Sequence, residues 1–439
     1  MASWILDQFR KLRYWRPTSA TSRQAQVGSH SMKRTPVAKH APHSTPTAWG
    51  SLLRMLGLSL AVVTVSAVAV AGFVIMDLVQ RVGEDAVTLE AAPKAPPPSL
   101  GEFPGAFSIL LIGTDECGEV SKKVLGPRCE REDGILNDIN LLVHVSAAPR
   151  RVTVVSLPRD LMLEVPQCTR QDGGAASGMR KAPINTVYSH AGLSCVAKTV
   201  TQLSGIDVDF AAKLSFDGVM EITEALGGVE VCIGPEGLHD PGNTGLDWGP
   251  GLRTIKGYDA LQFIRVRHGI GDGSDLSRIS NQQQYMSRLA RTILSSETLT
   301  DIPKMMRLAG TIVDNVQASS ELAVPLRLGQ LALAMKDVRF DDFLFLQLPT
   351  VEDPQAPQQR VVENTVAAAP MWKAIIDGRA MRITGSASGH GSATVQTPTA
   401  PPASASPAPS PSSTSGDLAE LSPEISGIDL NQQTCTSSR

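Results

Sequence analysis

Residues 107–115 read FSILLIGTD, residues 137–145 read NDINLLVHV and residues 152–160 read VTVVSLPRD. The apolar parts, Phe107–Ile112, Ile139–Val145 and Val152–Leu157, have strand length and are apolar at odd and even positions alike. A strand with one wet face alternates in polarity; a strand covered on both faces does not. The three blocks therefore predict a central sheet with helices on either side. Helical patterns follow. Asn185–Ser204 carries Val187, Tyr188, Ala191, Val196 and Val200 at helical spacing, and Phe216–Leu226 runs into Gly227 and Gly228 before the strand-like Val229–Ile233. A helix stopped by glycine and followed by a β run is an ordinary connection in such folds. Gly257–Arg267 begins as a helix, Leu276–Ser295 and Val324–Met335 read as two more, and Phe343–Leu348 as a late strand. The mixture predicts an α/β or α+β sandwich.

Outward from this region the composition changes. The chain has 439 residues and a net charge of −3, which argues against a nucleic-acid partner held by bulk charge. The total conceals two parts of opposite sign. Residues 1–54 hold nine Lys/Arg and one acid, Asp7, so they carry +8 and leave −11 to the rest. The sign changes at Met55–Met76, 22 residues without a charge. About 20 such residues in a helix cross a hydrocarbon core of about 30 Å. Basic residues before the run and Asp77, Glu84, Asp85 and Glu90 after it fit the positive-inside rule. The expectation is a single-pass cell-membrane protein with a cytoplasmic N-terminus and an extracytoplasmic body. A cleaved leader would have a shorter apolar region.

The domain reading follows. Residues 1–54 are a basic, disordered tail and 55–76 a transmembrane anchor. Residues 77–104 are a stalk stiffened by Pro96, Pro97 and Pro98, and 105–384 are the folded domain. Residues 385–439 are a Ser/Pro/Ala-rich disordered tail, although Leu418–Cys435 regains apolar residues suited to docking back. All six Cys lie after the apolar run. An even number outside the cell favours disulfides, and proximity pairs Cys117 with Cys129, Cys168 with Cys195 and Cys232 with Cys435.

The folded region holds no GxSxG elbow, HExxH or phosphate-binding loop. Arg and Asp recur instead at strand ends and helix starts: Asp115 after Gly113, Asp138, Arg159 with Asp160, Arg265 with Arg267, and Asp275 with Arg278 and Gln282. Arg278 and Gln282, four apart, share a helix face. Guanidinium groups grip phosphate oxygens in bidentate fashion, and carboxylates hold a divalent cation that bridges those oxygens. Several Arg and Asp around one sheet edge therefore suit a diphosphate with Mg2+ or Mn2+. Each motif alone reads as well as a surface ion pair, worth under about 1 kcal/mol, or as an N-cap at Asp275 and a turn at Gly113.

Taken in order, FSILLIGTDE, NDINLLVHV, VTVVSLPRD, KAPINTVYSHAG, FDGVMEITEALGGVEV, GLRTIKGYDALQFIRVRH and DLSRISNQQQ resemble the LytR–CpsA–Psr family of cell-wall glycopolymer ligases, over roughly 107–293. The resemblance implies an α-β-α sandwich with a mixed central sheet and a deep apolar pocket for a polyprenyl chain. A diphosphate site lies at the pocket's mouth. It implies transfer of a phospho-glycopolymer from a polyprenyl diphosphate carrier to a peptidoglycan sugar hydroxyl, releasing polyprenyl phosphate. Asp115 and Asp138 take the metal-binding or acid–base roles. Arg159, Arg265, Arg267 and Arg278 clamp the diphosphate with Gln282 in support, and Asp160 and Asp275 orient the arginines. Val187, Val196 and Val200 are candidates for the lipid pocket. The family pattern has Arg where this chain has Asn281, which implies one positive charge fewer at the clamp. Whether the cargo is arabinogalactan or a teichoic- or teichuronic-type polymer stays open.

Two other readings remain. One is a non-catalytic envelope protein that binds lipid-linked glycan through the same arginines; the other is a hydrolase that uses water as acceptor on a prenyl diphosphate. A DNA-binding regulator is disfavoured, because the basic segment has no helix-turn-helix pattern.

Overall fold

The computed structural model describes residues 48–90, 92–93, 99, 101–129, 134–357, 359–385, 393–395, 418–430 and 434–438. The expected N-terminal tail before residue 48, Pro96–Pro98 and most of the Ser/Pro/Ala-rich stretch lie outside them. Residues up to Ser66 and residues from Ala67 form two units. Helix α1 (Ala48–Glu84) contains the charge-free run and continues through Asp77–Glu84, where a spacer was expected. Leu52, Leu56, Leu60, Val63, Phe73 and Met76 on it are exposed. Among the described residues no helix is long and apolar enough to cross a membrane. The side chains of Ala67, Val68, Val70, Ala71, Val74 and Ile75 within the run are not among those described. Beyond α1 the expected stalk joins the body: Val87 bridges to Ser319 and Phe103 is 3% exposed.

The body is built on strands β1 (Phe107–Thr114), β2 (Asn137–Val145), β3 (Val152–Leu157) and β4 (Phe210–Leu214). To these are added β5 (Val229–Ile233), β6 (Gly251–Ile255), β7 (Val316–Ala318) and β8 (Phe343–Gln347). Three short strands, β9 (Ala393–Val395), β10 (Gly427–Asp429) and β11 (Thr434–Thr436), complete the two larger sheets. The central sheet runs β7-β4-β1-β2-β3-β8-β10. Strands β1/β4 and β3/β8 pair parallel, while β1/β2, β2/β3, β4/β7 and β8/β10 pair antiparallel. The sheet is therefore mixed. A second sheet runs β6-β5-β11-β9.

The longer helices of the body are α2 (Val187–Ser204), α3 (Phe216–Leu226), α4 (Gly257–Arg265), α5 (Asp275–Leu294), α6 (Ile302–Asn315), α7 (Pro325–Met335) and α8 (Thr365–Ile376). The unbroken apolar strands now have their cause. Leu110, Ile112, Leu142, Val155 and Leu157 pack on one face with residues of α2 and α8. Phe107, Leu141, Val152, Val154 and Phe345 pack on the other with residues of α5 and α7. Leu110, Leu142 and Val155 are fully buried, each stabilising the fold by about 1.5–3 kcal/mol relative to an exposed side chain. Helix α2 is not one regular rod. It bends at Ala191 and Gly192, where Gly192 takes φ +79°, a conformation glycine adopts without the Cβ clash other residues meet.

The C-terminal segment is also more structured than its composition indicated. Strand β10 closes the sheet edge, with Ile428 2% and Leu430 0% exposed. Strand β11 joins the second sheet. The disulfides are Cys117–Cys129, Cys168–Cys195 and Cys232–Cys435.

Candidate functional site

Parallel strands β1 and β4 end side by side, with Gly113 opposite Leu214. The carboxyl ends of adjacent parallel strands are where sheets of this kind place ligands. A cavity of about 30 Å³ lies there. Gly113, Thr114, Leu214, Ser215 and Phe216 line it from the strand ends and the start of α3, Asp138 and Ile139 from β2, and Ile264, Arg265, Arg278 and Gln282 from α4 and α5. A side chain at Gly113 would press on Ile139, 3.0 Å from its Cβ. Ser215 caps α3 by accepting from the Gly218 N–H at 3.3 Å. Its first turn therefore presents a positive helix end to the cavity, which suits an anion.

Two arginines converge here. Arg265 ends α4, with its guanidinium carbon 5.0 Å from the Phe216 ring centre. Arg278, 8% exposed, lies in the first turns of α5. Arg159 stands beside them through Asp138, donating to it at 3.2 Å and to Asp160 at 3.3 Å. Asp160 also accepts from Arg360, which no sequence motif had marked. Asp160 thus orients two arginines. Gln282 donates through Nε2 to the Ile264 carbonyl at 2.9 Å, so its contribution includes holding the end of α4.

Other expected residues are placed differently. Arg267 donates to the Gly273 carbonyl at 3.1 Å and does not line the cavity; Val266, at ψ 137°, turns the chain out of α4 between the two arginines. Asp275 opens α5 behind the N-cap Ser274, and its side chain lies outside those described. Asn281, where the resemblance implied a missing cation, is fully buried and donates to the Phe263 carbonyl at 2.9 Å. A residue enclosed in this way is not part of the cavity wall. Val187, Val196 and Val200 are fully buried in a core cluster with the side chains of β1, β2 and β3. At the arginines Ile139, Leu214, Phe216, Val219 and Ile264 supply the apolar part of the wall of this small cavity.

Asp115 is 9% exposed and ties the strand ends together. Its Oδ1 accepts from the Leu136 N–H at 2.7 Å, while its own N–H donates to the Leu136 carbonyl at 3.0 Å. Asn137, the neighbour of Asp138 in its motif, is fully buried: it donates to Asn140 at 2.6 Å and accepts from the Tyr188 N–H at 3.1 Å. Next to this, Asp217 accepts from the N–H groups of Val120 and Ser121, both at 2.8 Å. Burial works to raise the Asp217 carboxyl, but these bonds prevail and hold it below the ordinary range. Among the described residues no three His, Cys, Asp or Glu converge as a metal cage. Asp115 and Asp138 flank the β1–β2 connection, and carboxylates are the ligand type that Mg2+ or Mn2+ takes.

Over residues 75–370 the chain matches the LytR_cpsA_psr family. It is 31% identical over 233 residues to the cell wall biosynthesis protein LcpA of Corynebacterium glutamicum, covering 48% of this chain and 44% of that one. It is 24% identical over 239 residues to the polyisoprenyl-teichoic acid–peptidoglycan teichoic acid transferase TagT of Bacillus subtilis, covering 53% and 66%. A solved structure, the LytR-Csp2A-Psr enzyme from Actinomyces oris, aligns at TM-score 0.47 and 23% identity over 66% of this chain and 95% of that one. The chain spans about half the length of the first curated relatives it matches. The match takes in β1 to β4, the helices that carry Arg265 and Arg278, and most of the remaining sheet, and on it this chain belongs to the LytR_cpsA_psr family.

Proposed function

We propose that this protein is a membrane-anchored phosphotransferase that moves a phospho-glycopolymer from a polyprenyl diphosphate carrier to a sugar hydroxyl of peptidoglycan. The observation that carries the reading is the meeting of Arg265, Arg278, Asp138 and Gln282 on one cavity at the carboxyl ends of β1 and β4. Relatives named for cell wall biosynthesis and teichoic acid transfer support it. The charge-free run within α1 supports the anchor.

The chemistry follows from the residue types. The acceptor hydroxyl attacks the phosphorus that bears the glycan. The new bond is oxygen to phosphorus, and the bond broken joins that phosphorus to the bridging oxygen of polyprenyl phosphate. No protein nucleophile is required, so catalysis is positioning and charge stabilisation. Arg265 and Arg278 stabilise the diphosphate and the phosphate that leaves, and Arg159 holds Asp138 in place. Asp138 accepts the hydroxyl proton. Asp115 and Asp138 would hold Mg2+ or Mn2+, which supplies further neutralisation of phosphate charge. The apolar walls around Ile139, Val219 and Ile264 would part to admit the first isoprene units.

The test is incubation of the purified chain with polyprenyl diphosphate-linked glycan, peptidoglycan and Mg2+. Glycan should become covalently attached and polyprenyl phosphate released in equal amount, with both lost in Arg265→Ala. Phosphate release that continues without acceptor would identify a hydrolase. Binding without turnover would identify a glycan-holding envelope protein.

A further inference from the structure

We infer that the C-terminal strand β11, pinned by the Cys232–Cys435 disulfide, positions the arginines of the candidate site, with Thr436 as the positioning residue. The inference rests on reading that site as one for a diphosphate.

It begins with the end of a helix. The last carbonyls of α4 have no partner within the helix. Two of them are held by side chains of α5: Asn281 Nδ2 donates to the Phe263 carbonyl and Gln282 Nε2 to the Ile264 carbonyl, both at 2.9 Å. These bonds join the turn that presents Arg265 to the turn that presents Arg278. Asn281 is fully buried, so the other end of its amide also needs a partner. That partner comes from far along the chain. The Thr436 hydroxyl donates to Asn281 Oδ1 at 2.8 Å and accepts from Gln284 Nε2 at 2.7 Å, and both Thr436 and Gln284 are fully buried.

Thr436 is itself held on several sides. Its carbonyl accepts from the Gly234 N–H at 2.7 Å, and the Ser437 carbonyl accepts from the Gly271 N–H at 3.1 Å. Arg288 donates to the Thr434 carbonyl at 2.9 Å. A Cβ at Gly234 would stand 2.8 Å from the Thr436 oxygen, so the end of β5 comes this near because residue 234 is glycine. The disulfide fixes the neighbouring residue, Cys435, to β5. A continuous line then runs from Cys435 through Thr436 and Asn281 to the Phe263 carbonyl and Arg265. Hydrogen bonds chained through a core strengthen and constrain one another, which is how such a line transmits position. The buried, neutral Asn281 is the joint of this line.

The experiment uses the whole chain with Mg2+ and farnesyl diphosphate as probe. Affinity is measured by calorimetry and hydrogen exchange is followed by mass spectrometry. Thr436→Val keeps the shape and removes the hydroxyl; it should weaken farnesyl diphosphate at least about tenfold and speed exchange at 263–267, leaving β2 protected. Thr436→Ser should restore both. The inference is overturned if Thr436→Val binds and exchanges as the wild type does. It is overturned equally if β2 loses protection in step with 263–267, the mark of a merely stabilising tail. Should Thr436→Val fail to fold, Cys232→Ser with Cys435→Ser keeps every hydroxyl and is judged by the same exchange at 263–267. If Arg278→Ala binds the probe as well as the wild type, the diphosphate reading fails, and exchange alone decides the positioning role.

Discussion

Arg159 shows how much one side chain carries. A single guanidinium spans Asp138 and Asp160, which a lysine ammonium, a point donor, cannot do at once. Arg159→Lys should lower kcat/KM for glycan transfer by about 10-fold and Arg159→Ala by about 100-fold or more; equal rates in a transfer assay would remove Arg159 from the mechanism. A second residue-scale prediction concerns Ser108, whose hydroxyl lies 3.0 Å from His144 Nδ1 and whose N–H donates to Asp209 at 2.7 Å. Burial pushes His144 down to about 4 and Asp209 up to about 6. A histidine kept neutral by folding adds stability that is present above its unfolded value of 6.5 and lost as pH falls toward 4. A carboxyl kept protonated adds stability that is present below 3.8 and lost as pH rises toward 6. The two slopes oppose each other over nearly the same window. Asp209→Asn should therefore give a Tm that rises from pH 4 to 6.5, and His144→Gln a Tm that falls from pH 4 to 6; slopes of one sign in both variants would break the pairing. The strand-end acids and arginines were legible at this scale because their motifs sit at fixed offsets from apolar runs. Arg360 and Thr436 were not, because their partners are set by tertiary contacts that leave no local pattern.

Among the elements, those with strong periodicity were read closely. Val152–Leu157, Phe216–Leu226 and Val229–Ile233 fall where the sequence put them. The docking of Leu418–Cys435 was foreseen, but not that Gly427–Asp429 forms strand β10, since three residues carry too little pattern and their pairing partner is β8, far away in sequence. Its contribution is nonetheless testable: Ile428, packed with Phe343 and Phe345, is 2% exposed. Ile428→Ala should cost about 2–5 kcal/mol in a denaturant titration. A loss below about 0.5 kcal/mol would mean that β10 does not dock in solution. The surroundings of an apolar helix face are harder to read. An apolar helix face such as Val187, Val196 and Val200 has the same sequence pattern whether it meets a ligand or the sheet, and only packing separates the two.

For the molecule as a whole, the net charge of −3 sums a +8 segment and a −11 remainder on either side of a charge-free run. If that run anchors the protein, the full chain should stay in the membrane pellet after an alkaline carbonate wash, as should a chain lacking residues 1–47. A chain beginning at Asp77 should appear in the supernatant. Release of the full chain would refute the anchor. The sheet's closing strand has a further consequence. A polypeptide is made from its N-terminus, yet the edge of β8 is covered by residues 427–429, and the third disulfide joins cysteines 203 residues apart. A product cut short by a premature stop would bear an uncovered Leu344–Leu346 edge, a template for aggregation and for capture by quality-control proteases. The edge of β8 is therefore covered only once residues 427–429 have been made and docked.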